Sequence, residues 1–190
     1  MARASTDNGG DDMSKEALLL IDIQNIYFTP GPMLLHKPKE AARKAAQLLE
    51  KFRSEGQTVI HVQHNFKMFT GIHSLVKPMN NEKIVHKDYP NSFLKTDLRG
   101  YLEEQGITKL TVAGMMSHMC VDTTVRACQD YGYEVTVIDD ACTTMSLKHG
   151  DRKIDAETVH AVYMAALADG FAEVITLEKA LAGWCGAVGG

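Results

Sequence analysis

Short apolar runs alternate with helical stretches along most of the chain, and this alternation constrains the fold more than any other feature. The apolar runs predict buried strands over residues 17–22, 58–62, 83–86, 110–113, 134–138 and 172–175. The stretches between them predict helices over residues 39–55, 96–105, 121–130 and 155–169. The first of these helices has apolar residues at three- and four-residue steps, and a glycine follows it as a stop signal.

Strands that alternate with helices imply an α/β fold, with three α/β/α layers and helices on both faces of the sheet. We expect a mostly parallel, Rossmann-like sheet of about six strands, because near-continuous apolar strands suit burial on both faces. The 190 residues, 45% of them hydrophobic, suit one domain over residues 16–183. Residues 1–15 are polar and are expected to form a disordered arm, and residues 184–190 are expected to form a C-terminal tail.

Composition excludes several classes of function. A formal net charge of -4 with no basic excess argues against nucleic-acid binding. No apolar run approaches the roughly 20 residues that cross a bilayer, and the N-terminus has no signal-peptide core. The four cysteines, at 120, 128, 142 and 185, form no CxxC pair, so we expect a reduced, cytoplasmic protein. The chain also lacks GxGxxG, P-loop and GxSxG motifs, so no nucleotide cofactor and no serine nucleophile is indicated.

Three chemically capable residues lie at predicted strand ends, where ligands bind in such sheets. Individually, Asp22 could be a turn former, Lys87 a solvated lysine and Cys120 a buried core thiol. Cys120 falls at the predicted start of a helix, where free N–H groups and the helix dipole would lower the pKa of a thiol and hold an oxyanion. Together the three residues predict a catalytic site with a carboxylate, a cation and a nucleophile.

Three segments carry a resemblance to a known family: LLLIDIQNIYF, KDYPNSFLKTDL and VAGMMSHMCVDTTVRACQDYGYEVTVIDDACTT. The chain resembles the isochorismatase-like cysteine hydrolases, which include nicotinamidases and N-carbamoylsarcosine amidases, over residues 17–181. The resemblance implies that Asp22 is the general base, that Lys87 stabilises the pair electrostatically, and that Cys120 forms a covalent thioester. It also implies a cis peptide bond between Met115 and Met116, and an oxyanion hole made by the backbone N–H groups of Met116 and Cys120.

The resemblance also suggests which residues line the pocket. Gln24 and Tyr27 match pocket-lining positions of the family, with plain packing as the alternative for Tyr27. His118 lies in the nucleophile loop and could face either the pocket or solvent. Cys128, Cys142 and Cys185 are interpreted as bystanders.

One part of the family pattern is missing. Nicotinamidases bind a divalent metal through an Asp-x-His motif and a further histidine, but here His64 and Phe66 occupy the positions of that aspartate and histidine. We therefore expect no metal site, although a regrouping of His61, His64 and His73 as ligands stays open.

These observations predict a hydrolase that cleaves the C–N bond of a small-molecule amide or carbamoyl substrate through a Cys120 thioester, without metal or cofactor. Within the resembling family, isochorismatases that cleave a vinyl ether do without this nucleophile, so the presence of Cys120 makes that activity less favoured. The missing metal ligands disfavour a nicotinamidase proper. A thiol sensor that uses Cys120 and a non-catalytic binding protein remain alternatives. The family also implies a homo-oligomer, a dimer or tetramer, with no nucleic-acid or membrane partner.

Overall fold

A computed structural model describes residues 15–186 of the chain, and the side chains of residues 15–183. Within this range eight strands and five helices follow one another along the chain. The strands are β1 (Lys15–Ile21), β2 (Thr58–His64), β3 (Lys83–Lys87), β4 (Ile107–Met115), β5 (Glu134–Thr143), β6 (Leu147–His149), β7 (Arg152–Ile154) and β8 (Glu173–Ile175). The helices are α1 (Pro38–Ser54), α2 (Leu98–Gln105), α3 (Asp122–Asp130), α4 (Ala156–Ala168) and α5 (Leu177–Gly186).

Six strands form one sheet in the order β3-β2-β1-β4-β5-β8, and every neighbouring pair in it is parallel. The predicted α/β class, with about six mostly parallel strands, is confirmed. β6 and β7 form a separate antiparallel pair. No helix in the described range is both long and apolar enough to span a bilayer.

Alternate residues of β1 face the two sides of the sheet, because side chains of a strand alternate between faces. Ala17, Leu19 and Ile21 pack in a core with α2, α3 and α4. Leu18 and Leu20 pack in the opposite core with α1 and α5. Helices therefore cover both faces, which explains why the strand is apolar at every position from 17 to 21.

Some predicted boundaries differ from the structure. β1 already begins at Lys15, so the last residue of the predicted arm belongs to the sheet, and residues 1–14 lie outside the described residues. α2 begins at Leu98 instead of residue 96, because the Thr96 hydroxyl first forms a turn, accepting from Leu98 N and donating to Ser92 O. α5 was not predicted and runs to Gly186, into the predicted tail, whose residues 187–190 lie outside the described range.

The order of the strands determines where a site forms. β1 and β4 are neighbours at the centre of the sheet, and the chain leaves them toward helices on opposite faces. Parallel sheets leave a crevice outside the carboxyl ends of two such strands. Asp22 directly follows β1, and the segment containing Cys120 follows β4.

Candidate active site

Asp22 is the first residue after β1 and is completely buried. Its backbone N–H donates to Val62 O at 3.0 Å, which fixes the end of β1 against β2. Its φ of 50° lies in the left-handed region, which costs a non-glycine residue on the order of 1 kcal/mol. A strained, buried carboxylate at a strand end fits a functional position better than a turn former.

Lys87 ends β3 and lies against the Asp22 carboxylate. Lys87 Nζ is 2.7 Å from Asp22 Oδ2, and neither side chain is exposed to solvent. The ammonium also donates to Tyr89 O at 3.1 Å and lies 3.4 Å from His64 Nδ1. Removal of one member of such a buried pair costs about 3–5 kcal/mol, because the other charge is left without a partner.

Cys120 lies in a π-helical turn, Ser117–Val121, that leads into α3. The regular helix thus begins two residues after Cys120, so the expected position at the start of a regular helix is corrected to a position within the preceding turn. Cys120 is buried, and the ligand atoms of Asp22, His64 and Cys120 all lie within 4.8 Å of one another. The structure therefore brings Asp22, Lys87 and Cys120 together, as the three strand ends suggested.

The electrostatics of the thiol differ from the prediction. Burial and, to a lesser extent, the negative charge of Asp22 raise the pKa of Cys120 to about 12, although Lys87 lowers it. Burial also raises the pKa of Asp22, against the lowering effects of Lys87 and the neighbouring thiol. The prediction of a lowered thiol pKa is wrong, because desolvation of the thiolate outweighs the cation. In the free protein Cys120 is a neutral thiol beside a potential base.

Gly114 allows β1 and β4 to approach each other below the site. Its φ of 147° is unfavourable for other residues, and a Cβ on it would lie 2.1 Å from Ile21 O. The cis peptide bond expected between Met115 and Met116 follows directly. These features lead the chain from β4 into the turn that contains Cys120.

A second set of side chains, which sequence reasoning missed, connects this turn to α4 and β5 by hydrogen bonds. The hydroxyl of fully buried Ser117 is 2.7 Å from His160 Nδ1, and His160 Nε2 is 2.7 Å from Asp139 Oδ1. The relay ties the nucleophile turn to α4 and β5, so its members are positioning residues. The local sequence gave no signal for it, because the three residues lie on separate elements.

The segment after Lys87 is also fixed. The Thr124 hydroxyl of α3 accepts from Ser92 N at 3.1 Å and pairs with Ser92 Oγ at 2.9 Å. This contact links the segment after β3 to the helix that follows Cys120, and so helps to set the position of Lys87.

The three predicted pocket residues differ in their surroundings. Gln24 is fully buried and its amide is used by the backbone: Nε2 donates to His64 O and Thr70 O, and Oε1 accepts from His64 N. Gln24 therefore fixes the backbone at the end of β2 and at residue 70, and a substrate contact by Gln24 stays a prediction. Tyr27 lies within electrostatic reach of the site, since burial, Asp22 and Cys120 all raise its pKa.

His118 contacts the residue that follows β5 and a residue of α4. Its Nδ1 pairs with the Thr144 hydroxyl, and its ring lies edge-on to Tyr163 at 6.0 Å. A substrate contact by His118 or Tyr27 stays a prediction.

The histidines do not regroup as a metal site. His61 Nε2 is 2.9 Å from Glu82 Oε2. The ring of His73 stacks on that of Phe28 with their centroids 3.8 Å apart. The ring centroids of His64 and Phe66 are 4.6 Å apart. Phe66 has no donor atom to offer a metal ion. The residues therefore do not fit the family's metal, and the group that could hold a metal ion within residues 15–183 is instead Asp22, His64 and Cys120.

Comparison with known proteins shows which family the chain belongs to. The model of the Isochorismatase domain matches residues 16–179. The chain belongs to the isochorismatase family of hydrolases. It is 47% identical to the uncharacterized isochorismatase family protein YddQ of Bacillus subtilis (strain 168), over 87% of this chain and 98% of that protein.

The crystal structure of an isochorismatase-family hydrolase from Oleispira antarctica matches with a TM-score of 0.86 and 37% identity, over 92% of this chain and all of that one. A more distant relative is the maleamate amidohydrolase of Pseudomonas putida, 24% identical over 88% of this chain and 85% of that protein. The family is therefore the one that the sequence resemblance named.

Proposed function

We propose that this family member hydrolyses the C–N bond of a small-molecule amide or carbamoyl compound through a thioester on Cys120. One observation carries the proposal. Lys87 Nζ lies 2.7 Å from the Asp22 carboxylate, and Cys120 Sγ lies within 4.8 Å of that carboxylate at the carboxyl end of the sheet. A nucleophile beside a base that a third group orients is the general pattern of covalent catalysis.

The proposed reaction balances around one proton. Asp22 takes the thiol proton as Cys120 Sγ attacks the carbonyl carbon, and the backbone N–H groups of Met116 and Cys120 stabilise the oxyanion. When the C–N bond breaks, Asp22 returns the proton to the leaving nitrogen. Water then attacks the thioester with Asp22 as base, the acid leaves, and the thiol is restored. In both steps Lys87 stabilises the negative charge of the pair.

The raised pKa of Cys120 suits this scheme better than a thiol sensor. Sensor cysteines react as accessible thiolates, whereas the Cys120 thiol is buried with a pKa of about 12. A neutral thiol needs its base during attack, so Asp22 has a role that a sensor would not require. The name of the maleamate amidohydrolase also supports amide hydrolysis within the family.

The proposal can be tested by ammonia release from a panel of primary carboxamides, maleamate included, and carbamoyl compounds. On any substrate that is cleaved, Cys120→Ala is expected to lower kcat at least about a thousandfold, because the nucleophile is lost. Cys128→Ala, which removes a buried thiol on α3, is the matched control and should retain most of the activity. Turnover that is unchanged in Cys120→Ala would overturn the proposal.

A further inference from the structure

Cys120 lies in a group of side-chain atoms that could bind a metal ion. This site differs from the metal site of the resembling family, and the proposed reaction does not require it. One donor atom each from Asp22, His64 and Cys120 lies within 4.8 Å of the other two. In a tetrahedral zinc site with bonds of about 2.0–2.3 Å, ligand atoms lie about 3.5 Å apart. Zinc binding therefore requires the three side chains to rotate toward a common centre.

The chemistry of the donors selects the ion. A thiolate, an imidazole and a carboxylate are the ligands that Zn²⁺ takes in proteins, and three protein ligands leave its fourth position open. Harder ions such as Mg²⁺ prefer oxygen ligands only. His64 also differs from the family's own metal ligands, because it stands where those enzymes have an aspartate.

The Asp22 carboxylate has coordination capacity to spare. Its Oδ2 faces Lys87 at 2.7 Å, and the carboxylate also accepts from the Cys120 thiol. A metal ion that displaces the thiol proton would take the place of this donor beside the buried carboxylate. Lys87 opposes a cation, so the site is expected to be weaker than a structural zinc site.

We propose that Zn²⁺ binds Asp22, His64 and Cys120, displaces the thiol proton to solvent, and reversibly blocks the nucleophile. The bond to the metal withdraws charge from the sulfur and lowers its nucleophilicity, and Asp22 as a metal ligand no longer acts as a base. Zinc binding is independent of the proposed function, but the inhibition of turnover rests on it.

Protection of Cys120 from alkylation tests the site without a known substrate. The full-length protein is treated with iodoacetamide, with and without free Zn²⁺, and the Cys120 peptide is quantified by mass spectrometry. At a free Zn²⁺ concentration about ten times the Kd, the alkylation rate should fall about tenfold. Addition of EDTA should restore it.

His64→Ala and His64→Asn remove the imidazole, and each is compared with itself with and without Zn²⁺. Both should lose most of the protection, whereas His86→Ala, which changes an exposed histidine of β3, should keep it. Equal protection in the His64 variants and the wild type, or no protection in the wild type, would overturn the zinc site. A protein that binds zinc but forms no acyl adduct would overturn only the hydrolase proposal, and the reverse result would overturn only the zinc site.

Discussion

Burial dominates the chemistry of the Asp22 and Cys120 side chains. The Lys87 ammonium lowers the pKa of both groups, but desolvation raises both by more. Burial therefore disfavours the thiolate in the free protein. Two effects of Asp22 can then be separated: its proposed role as the base, and its negative charge, which disfavours the thiolate.

Asp22→Asn separates these two effects. Loss of the carboxylate charge removes an influence that raises the pKa of Cys120, while Lys87 still lowers it. We therefore expect alkylation of Cys120 at pH 8 to become at least about tenfold faster, since one pKa unit is a factor of ten in thiolate. Hydrolytic turnover should be lost in the same variant.

Asp88→Asn is the matched control, because it removes an exposed carboxylate next to Lys87 in the chain. Circular dichroism should verify that both variants fold, since the ion pair with Lys87 is broken in Asp22→Asn. An alkylation rate that is unchanged or slower in Asp22→Asn would contradict the assigned electrostatics.

The sequence was sufficient to select Asp22, Lys87 and Cys120, because each lies at a strand end and matches a family segment. It could not give the direction of the Cys120 pKa shift, which depends on atoms that distant segments pack around the sulfur. It also could not reveal that the Gln24 amide donates to the backbone carbonyls of His64 and Thr70.

At the scale of elements, a buried carboxylate joins α1, β2 and the segment before β3. Glu82 accepts from Arg53 Nε at 2.7 Å, Arg53 Nη2 at 2.8 Å and Met79 N at 2.8 Å, and pairs with His61. Burial raises the pKa of Glu82, but these hydrogen bonds outweigh it and lower the pKa to about 2. The carboxylate thus stabilises the fold in its charged form.

Glu82→Gln tests this link. A pKa that is lower in the folded state gives stability that is fully present above the unfolded value of 4.5 and is lost as the pH falls toward 2. At pH 7 the free energy of unfolding, measured by urea denaturation, should be about 1–3 kcal/mol lower in the variant than in the wild type. At pH 3 the difference from the wild type should narrow.

Glu103→Gln is the control, because its exposed pair with Arg99 should contribute less than about 1 kcal/mol. If the difference in the free energy of unfolding between Glu82→Gln and the wild type is larger at pH 3 than at pH 7, the lowered pKa assigned to Glu82 is contradicted.

The long elements were predictable, since buried strands and amphipathic helices have clear periodicity. The exceptions have physical reasons. β6 and β7 are short and mostly polar, so no apolar run marks them, and the π-helical turn around Cys120 depends on contacts with α4 and β5.

At the scale of the whole molecule, the parallel strands place the carboxyl ends of β1, β3 and β4 on the same side of the sheet. Because residues 22, 87 and 120 are far apart in sequence, they come together only when β1, β2, β3 and β4 are assembled side by side. Fold class and site were therefore predictable together, because the same strands define both.

Assembly into a dimer or tetramer remains a proposal. Light scattering at micromolar protein should give a multiple of the 20.9 kDa chain mass. A mass of one chain would contradict this.

The most direct test of the central claim is the mass of the protein quenched in acid during turnover of a cleaved amide. The account predicts an added mass equal to the substrate minus its leaving amine, mapped to the Cys120 peptide. Hydroxylamine added during turnover should divert the acyl group to a hydroxamate. An adduct on any other residue, or neither an adduct nor a hydroxamate, would contradict a Cys120 thioester.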